Sequence, residues 1–83
     1  MGKLSISDGS QIRMARSCLN WSVQELSNET GVSTSTIKRL ETPDGFEKGT
    51  FANLKLIVTT LERAGIEFIG GPGEGPGVRY WKK

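Results

Sequence analysis

Residues 21–41, WSVQELSNETGVSTSTIKRLE, contain two short amphipathic segments separated by Gly31. A serine opens each segment, Ser22 or Ser33, and serine is favoured at the position just before a helix. Glu25 follows Ser22 at the spacing of a capping box, in which each side chain accepts the other residue's backbone N–H. Two helices of about eight residues are too short to be stable alone. The segment therefore predicts a pair of helices that form only when they pack against the rest of the chain.

A further helix is predicted before this pair, at residues 11–19, because apolar residues recur there at helical spacing. Its apolar face consists of Ile12, Ala15 and Leu19. Cys18 lies beside this face and is predicted to be a buried, unreactive thiol. Asn20 is expected to end the helix, because asparagine tolerates the left-handed backbone conformation. Residues 1–7 are predicted to form a frayed arm or a short strand, with Asp8 or Ser10 as the helix cap.

The last long helix is predicted between Thr50, its cap, and Gly65, which closes it. Before it, Pro43-Asp44-Gly45 is expected to end the preceding helix, and residues 46–49 are expected to form a loop. The apolar face of the long helix consists of Phe51, Leu54, Ile57, Val58 and Leu61. The predicted core contains these residues together with Trp21, Ile37 and Leu40.

The chemistry changes after Gly65. Residues 66–69, IEFI, are β-branched and aromatic, which favours a strand, and residues 78–83, VRYWKK, predict a second one. The glycines and prolines of residues 70–77 exclude regular structure between them. The two strands form either a hairpin or a pair shared between two copies of the chain. The predicted organisation is a helical domain at residues 1–65 followed by a β segment at residues 66–83.

The composition argues against several classes of function. The chain has one cysteine and no histidine, so an internal disulfide or a Cys/His zinc site is not possible. Without histidine or paired carboxylates, little supports acid–base chemistry, and neither an enzyme nor a cofactor is expected. The glycine-rich segment lacks the Gly-Lys-Ser/Thr ending of a phosphate loop. No apolar run approaches the roughly 18 residues of a membrane span. We expect a cytoplasmic protein with no membrane partner and no small-molecule ligand.

The capped pair of helices resembles the helix-turn-helix of Cro and phage-repressor-type (XRE-like) regulators. The resemblance covers residues 10–64. It rests on Trp21-Ser22, Glu25-Leu26, Gly31-Val32-Ser33, Ile37 and Leu40-Glu41. It implies a mostly α-helical, lambda-repressor-like domain of four to five helices, followed in this chain by the two-stranded β segment.

The resemblance also implies roles for individual residues. The third helix would enter the major groove of DNA, where Arg39 can bond O6 and N7 of guanine together. The implied base-reading residues are Ser33, Thr34, Ser35, Lys38 and Arg39. The implied phosphate contacts are Ser22, Gln24, Lys48 and Thr50. Arg16 and Glu41 would form a structural ion pair between the first helix and the end of the third.

The sequence departs from the family pattern at Val23, where the family usually has glutamine. A valine side chain cannot donate a hydrogen bond to a phosphate. Either Gln24, one position later, makes this contact instead, or the contact is missing.

The expected function is a DNA-binding transcriptional regulator, a repressor rather than an activator, because occupying a promoter requires only binding. One recognition helix contacts few base pairs, so a homodimer on an inverted-repeat operator is expected, with its two recognition helices about 34 Å apart. The predicted dimer contacts are Ile66, Phe68, Val78, Tyr80 and Trp81. Such a protein belongs in a bacterium, a phage or a mobile element.

Two alternatives remain open. The first is an antitoxin or antiactivator, a protein-interaction module built on the same fold, which Val23 and the low net charge favour. The second is an architectural DNA-binding protein without sequence preference. Such proteins depend on excess positive charge, whereas 11 basic and 9 acidic residues give this chain a net charge of only +2.

Overall fold

The computed structural model describes residues 4–82 as a mostly helical fold with a C-terminal two-stranded antiparallel sheet, as predicted. The elements are α1 (Ser10–Leu19), α2 (Val23–Thr30), α3 (Thr34–Leu40), α4 (Pro43–Glu47), α5 (Phe51–Arg63), β1 (Ile66–Ile69) and β2 (Gly77–Tyr80). Within the described part of the chain, no helix combines the length and the apolar character needed to cross a membrane.

The short helices begin and end at their capping residues. Ser22 and Glu25 form the predicted capping box at the start of α2, with N–H···O distances of 2.9 and 3.0 Å. Ser33 accepts a backbone N–H from the first turn of α3. Asn20 and Gly31 end α1 and α2 with φ angles of 58° and 79°, in the left-handed region, as predicted for Asn20.

One hydrophobic core joins the helices to the hairpin. Trp21 is partly buried against it. The buried apolar residues are Ile6, Ile12, Ala15, Leu26, Val32, Ile37, Leu40, Leu54, Ile57, Val58, Leu61, Ile66 and Phe68. Burying one large aliphatic or aromatic side chain contributes about 1.5–3 kcal/mol. The predicted core positions of α3 are confirmed, and so are those of α5 after its first residue.

Two side chains predicted for the core lie at the surface instead. Phe51 is 45% exposed because it is the first residue of α5, where the helix extends beyond the core. Cys18 is also exposed. The apolar stripe of α1 runs along Ile12, Ala15 and the half-buried Leu19, and Cys18 lies at its edge. The prediction of a buried thiol is therefore wrong.

The sequence prediction of a loop at residues 46–49 is also wrong, because α4 extends through Glu47. Thr42 caps this short helix, and its Oγ1 accepts the backbone N–H of Gly45 at 3.1 Å. Pro43 occupies the first helical position, where a missing N–H costs nothing and the fixed φ is favourable. The residues predicted to end α3 therefore also start the next helix.

Three glycines lie against the last turn of α3. A Cβ atom at Gly45 would collide with the carbonyl oxygen of Arg39, and one at Gly9 would collide with that of Leu40. At Gly49 it would collide with the Leu40 side chain. The chain before α1 and the region of α4 can therefore approach this helix end closely only because these residues have no side chain.

Gln11 is a fully buried polar side chain that joins three segments of the chain. Its Oε1 accepts the backbone N–H groups of Ser7 and Asp8 at 2.8 and 2.9 Å. Its Nε2 donates to the carbonyl oxygens of Ile69 and Gly77 at 3.2 and 2.8 Å. The N-terminal arm, α1 and the loop end of the hairpin are thereby tied together.

The N-terminal arm is neither frayed nor a strand in its described part. Ile6 is buried in the core, while residues 1–3, to which part of this prediction refers, lie outside the described residues. The helix begins at Ser10, whose backbone N–H and hydroxyl donate to Asp8 Oδ1 at 2.8 and 2.7 Å. These bonds hold the pKa of the Asp8 carboxyl below its ordinary value, the backbone bond contributing most. The residue at the cap position is Gly9, without a side-chain capping bond, so the prediction of Asp8 or Ser10 as the cap is wrong, although Asp8 does accept from the first residue of the helix.

The two strands pair within the chain, which decides between the two arrangements that the sequence left open. Ile66 lies opposite Tyr80, and Phe68 lies opposite Val78. The second strand ends at Tyr80, earlier than the predicted residues 78–83. The inner face of the hairpin closes the core between α1 and α5, so the β segment belongs to the same packed unit as the helices.

Replacing Gln11 with methionine should lower the free energy of unfolding by about 2–4 kcal/mol, because four partly buried backbone groups lose their hydrogen-bond partner. Urea denaturation measures this change. The control is Gln24→Met, which removes the exposed glutamine of α2 and should change stability little. Equal stability of both variants would contradict the role given to Gln11.

Candidate functional site

The outward face of α3 is polar, basic and open to solvent. Its side chains, with the cap, are Ser33, Thr34, Ser35, Lys38 and Arg39. Thr34 is half-buried and the other four are exposed. The opposite face, with Ile37 and Leu40, is buried in the core. Of the five predicted base-reading residues, the described part of the chain therefore leaves four exposed and covers Thr34 in part.

The guanidinium of Arg39 is held by a neighbour on the same helix. Its Nη2 donates to Thr36 Oγ1 at 3.1 Å. The hydroxyl of Ser33 lies 2.9 Å from the same oxygen. Thr36 is half-buried and does not belong to the predicted set of base-reading residues.

Arg39 also lines a groove of about 330 Å³ between the end of α3 and the start of α5, together with two predicted phosphate contacts, Lys48 and Thr50. Thr50 caps α5 by accepting the backbone N–H of Asn53 at 3.2 Å. Lys48 lies 3.7 Å from Asp44, but both side chains are almost wholly in water. Such a pair contributes little, so the ammonium group stays accessible.

A second groove, of about 450 Å³, lies at the start of α2 and includes Ser22, a third predicted phosphate contact. Arg13 and the ion-paired Arg16 line it, and so does Glu25, which carries a negative charge. Gln24 lies outside this groove, and its Nε2 donates to Asn28 Oδ1 at 3.0 Å along α2. The sequence prediction missed Arg13. A signal for it exists, because residues three apart on a helix share a face and Arg13 precedes Arg16 by three.

Arg16 and Glu41 form the ion pair that the resemblance implies. Nε and Nη2 of the guanidinium donate to the two carboxylate oxygens at 2.7 and 3.0 Å, and the side chains are only 15% and 9% exposed. The remaining Nη1 donates to the carbonyl oxygen of Trp21 at 3.2 Å. The pair thus joins α1 to the end of α3 and to the turn that precedes α2.

The predicted dimer contacts do not form one open surface. Ile66 and Phe68 are 3% and 6% exposed, because they fill the core of their own chain. Val78 and Tyr80 are half-buried against the same core. Trp81 alone of the five is largely exposed, at 59%. Assigning the two β1 residues to a dimer surface is therefore wrong for this conformation, because they have almost no surface to offer.

Trp81 is oriented by its neighbours on the outer side of the hairpin. Its indole Nε1 donates to Glu67 Oε1 at 2.8 Å, and Arg79 donates to the same oxygen at 3.2 Å. The guanidinium carbon lies 5.8 Å from the centre of the indole ring. The Trp81 hydrogen bond, aided by the charge of Arg79, holds the pKa of Glu67 below its ordinary value.

A comparison with models of known protein families, with curated proteins and with solved structures finds no match to this chain. The chain has an exposed polar helix face next to a groove that contains a lysine, and a second groove that is lined by Arg13, the ion-paired Arg16 and Glu25.

Replacing Glu41 with alanine should lower the free energy of unfolding by about 2–4 kcal/mol, because it leaves the mostly buried Arg16 guanidinium without its partner. The double variant with Arg16→Ala should lose less than the sum of the single variants. Glu29→Ala, which removes an exposed carboxylate of α2, serves as the control. A parent-like melting temperature for Glu41→Ala would show that the pair is incidental to the fold.

Proposed function

We propose that the protein is a sequence-specific DNA-binding transcriptional regulator that acts as a homodimer on an inverted-repeat operator. In this proposal, α2, the turn at Gly31 and α3 form a helix-turn-helix of the Cro and phage-repressor type. The observation that carries the proposal is the exposed polar and basic face of α3. The buried inner face and the Arg16–Glu41 pair hold that helix against the body of the protein.

The chemistry of this face suits the major groove, which is about 12 Å wide and admits a helix. Arg39 can bond both acceptors of a guanine, a contact worth about 1–3 kcal/mol of discrimination. Thr34 and Ser35 can contact a thymine methyl group or hydrogen-bond with either kind of base edge. Ser33 and Lys38, at the two ends of the same face, can contact a base or a phosphate.

The two grooves supply contacts to the DNA backbone in this proposal. Ser22 and Arg13 would serve one phosphate, and Lys48 and Thr50 another. Contacts of this kind fix the register of a protein on DNA without selecting a sequence. Since the net charge is only +2, the local placement of these cations matters more than the total.

The homodimer follows from the need for selectivity. One helix of seven residues contacts few base pairs, whereas two copies related by a two-fold axis present two such helices about 34 Å apart. Among the predicted contact residues, Trp81 offers the exposed aromatic surface that is enriched at protein interfaces. Repression requires only that this dimer occupy a promoter.

Selection from a pool of random DNA duplexes should enrich an inverted repeat whose half-sites lie about one helical turn apart. Arg39→Ala should lose the preference at one base position in each half-site, at a cost of about 1–3 kcal/mol per position. The control is Lys55→Ala, which removes one positive charge from the exposed side of α5.

Three outcomes would contradict this prediction. A pool without enrichment favours the protein-interaction alternative, and so does an unchanged selection by Arg39→Ala. Binding with a steep salt dependence and no preferred sequence favours an architectural protein. An equal loss of affinity in Lys55→Ala would show that only the total charge matters.

Sedimentation of the parent protein should show a dimer at the concentrations at which it binds DNA. Trp81→Ala should weaken association by about tenfold or more, as removal of a central interface tryptophan does. Leu56→Ala removes an exposed leucine of α5 and should leave association unchanged. A monomeric parent, or an equal effect of Leu56→Ala, would contradict the proposed dimer surface.

A further inference from the structure

We infer that the outer edge of β2 pairs antiparallel with the same edge of a second copy of the chain, with Tyr80 on the two-fold axis. The inference rests on the proposed function for its homodimer, and it names the surface that forms this dimer. The edge of a sheet carries unpaired backbone groups, which makes it a template for pairing with another strand. Two hairpins paired in this way form one continuous sheet across both chains.

The hydrogen-bond pattern of the hairpin shows which backbone groups point to its edges. The backbone N–H of Trp81 donates to the carbonyl oxygen of Gly65 at 2.7 Å. Hydrogen-bonded and non-hydrogen-bonded pairs alternate along antiparallel strands. Arg79, two positions before Trp81, is therefore hydrogen-bonded to the opposite strand, whereas the N–H and C=O groups of Val78 and Tyr80 point outward.

The two edges of the hairpin differ in accessibility. On β1, the residues with outward-pointing groups are Ile66 and Phe68, which are only 3% and 6% exposed, so the chain covers that edge itself. On β2, Val78 and Tyr80 are half-buried, and their outward groups make no hydrogen bond with a described residue. Backbone groups without a protein partner need water or another strand. The edge of β2 is therefore the one that can accept a further strand.

Charge and hydrogen bonding select one position for the two-fold axis, which can pass through Val78, Arg79 or Tyr80. An axis at Arg79 places the arginines of the two copies opposite each other, and like charges in that arrangement are destabilising. An axis at Val78 places Tyr80 opposite Pro76, which has no N–H to donate. An axis at Tyr80 avoids both problems.

The register centred on Tyr80 is complementary in charge. Arg79 then lies opposite the partner's Trp81, and a guanidinium next to an indole ring is a favourable pair. Glu67 accepts a hydrogen bond from Arg79 on the same outer face of the sheet. Each guanidinium would therefore lie between a carboxylate and an aromatic ring. The indole of Trp81, which is 59% exposed in one chain, would gain a cover in the dimer.

The same register satisfies the free backbone groups of the edge. The two copies of Tyr80 would exchange hydrogen bonds with each other, and Val78 would do so with the partner's Lys82, which gives about six backbone hydrogen bonds in the dimer. Lys82 follows the end of β2 and is exposed. Its backbone makes no hydrogen bond with another described residue. Pairing would thus extend β2 as far as Lys82.

The test compares Lys82→Pro, which removes the backbone N–H, with Lys82→Ala, which removes the same charge but keeps that N–H. Neither change affects a hydrogen bond among the described residues, and proline favours the extended backbone that a strand needs in the residue before it. By sedimentation, Lys82→Pro should associate about tenfold more weakly than Lys82→Ala, because each dimer loses two backbone hydrogen bonds. Equal melting temperatures at concentrations where both variants are monomeric exclude unfolding as the cause.

A measurement on the unchanged protein tests the register. In a mixture of isotope-labelled and unlabelled protein, an isotope-filtered nuclear Overhauser spectrum records contacts between chains only. The Hα atoms of Arg79 and of the partner's Trp81 should be in contact, because residues in a non-hydrogen-bonded pair have Cα atoms only about 4.5 Å apart. A contact between the two copies of Arg79 would indicate a different axis and would contradict the inference.

The outcomes separate this inference from the proposed function. A dimeric parent that lacks the contact between chains, or whose two Lys82 variants associate equally, would overturn the inference and leave the homodimer in place. A monomeric parent at DNA-binding concentrations would overturn the proposed dimer and the inference with it, and would leave the edge to a strand of another protein. A dimer with the expected contact that selects no DNA duplex would overturn the proposed function alone.

Discussion

The ion pair between Arg16 and Glu41 is the interaction on which the position of α3 depends. Charges that are largely removed from water are stabilising only when their geometry is good and their remaining donors are satisfied. Here both carboxylate oxygens accept from the guanidinium, and Trp21 accepts a further N–H. Gly9 and Gly45 let the chain approach the same helix end closely. Because α3 is restrained from its buried side and its C-terminal end, its outward face needs no structural contacts and stays open.

The features that could be predicted from the sequence are those that depend on neighbouring residues. The capping box of Ser22 and Glu25 requires two residues three positions apart, and the turns at Asn20 and Gly31 each require one residue that accepts a positive φ. Such interactions are encoded locally. The Arg16–Glu41 pair spans 25 residues, and no local pattern indicates it. It could be expected only because the chain resembles a family in which the two positions are paired.

The features that could not be predicted depend on distant parts of the chain. A glutamine in an amphipathic helix is normally solvent-exposed, yet Gln11 is buried because its partners in the hairpin lie 58 and 66 residues away. The alternation of apolar and polar side chains at residues 66–69 shows that one face of the strand is apolar. It does not show which surface covers that face. That surface is the chain's own core, which removes Ile66 and Phe68 from any partner. The outward position of Arg39 could be predicted from the helical spacing. Its hydrogen bond with Thr36 could not, because that bond depends on the conformations of the two side chains.

The low net charge of the chain limits how the proposed regulator could bind DNA. With a net charge of only +2, the chain has little excess positive charge with which to bind DNA of any sequence. One of its arginines, Arg16, is already neutralised by Glu41 in a structural role. More of the binding free energy would then have to come from base contacts, which depend on orientation more than phosphate contacts do. Arg39, an exposed arginine of α3, offers a guanidinium for such a contact in the proposed complex.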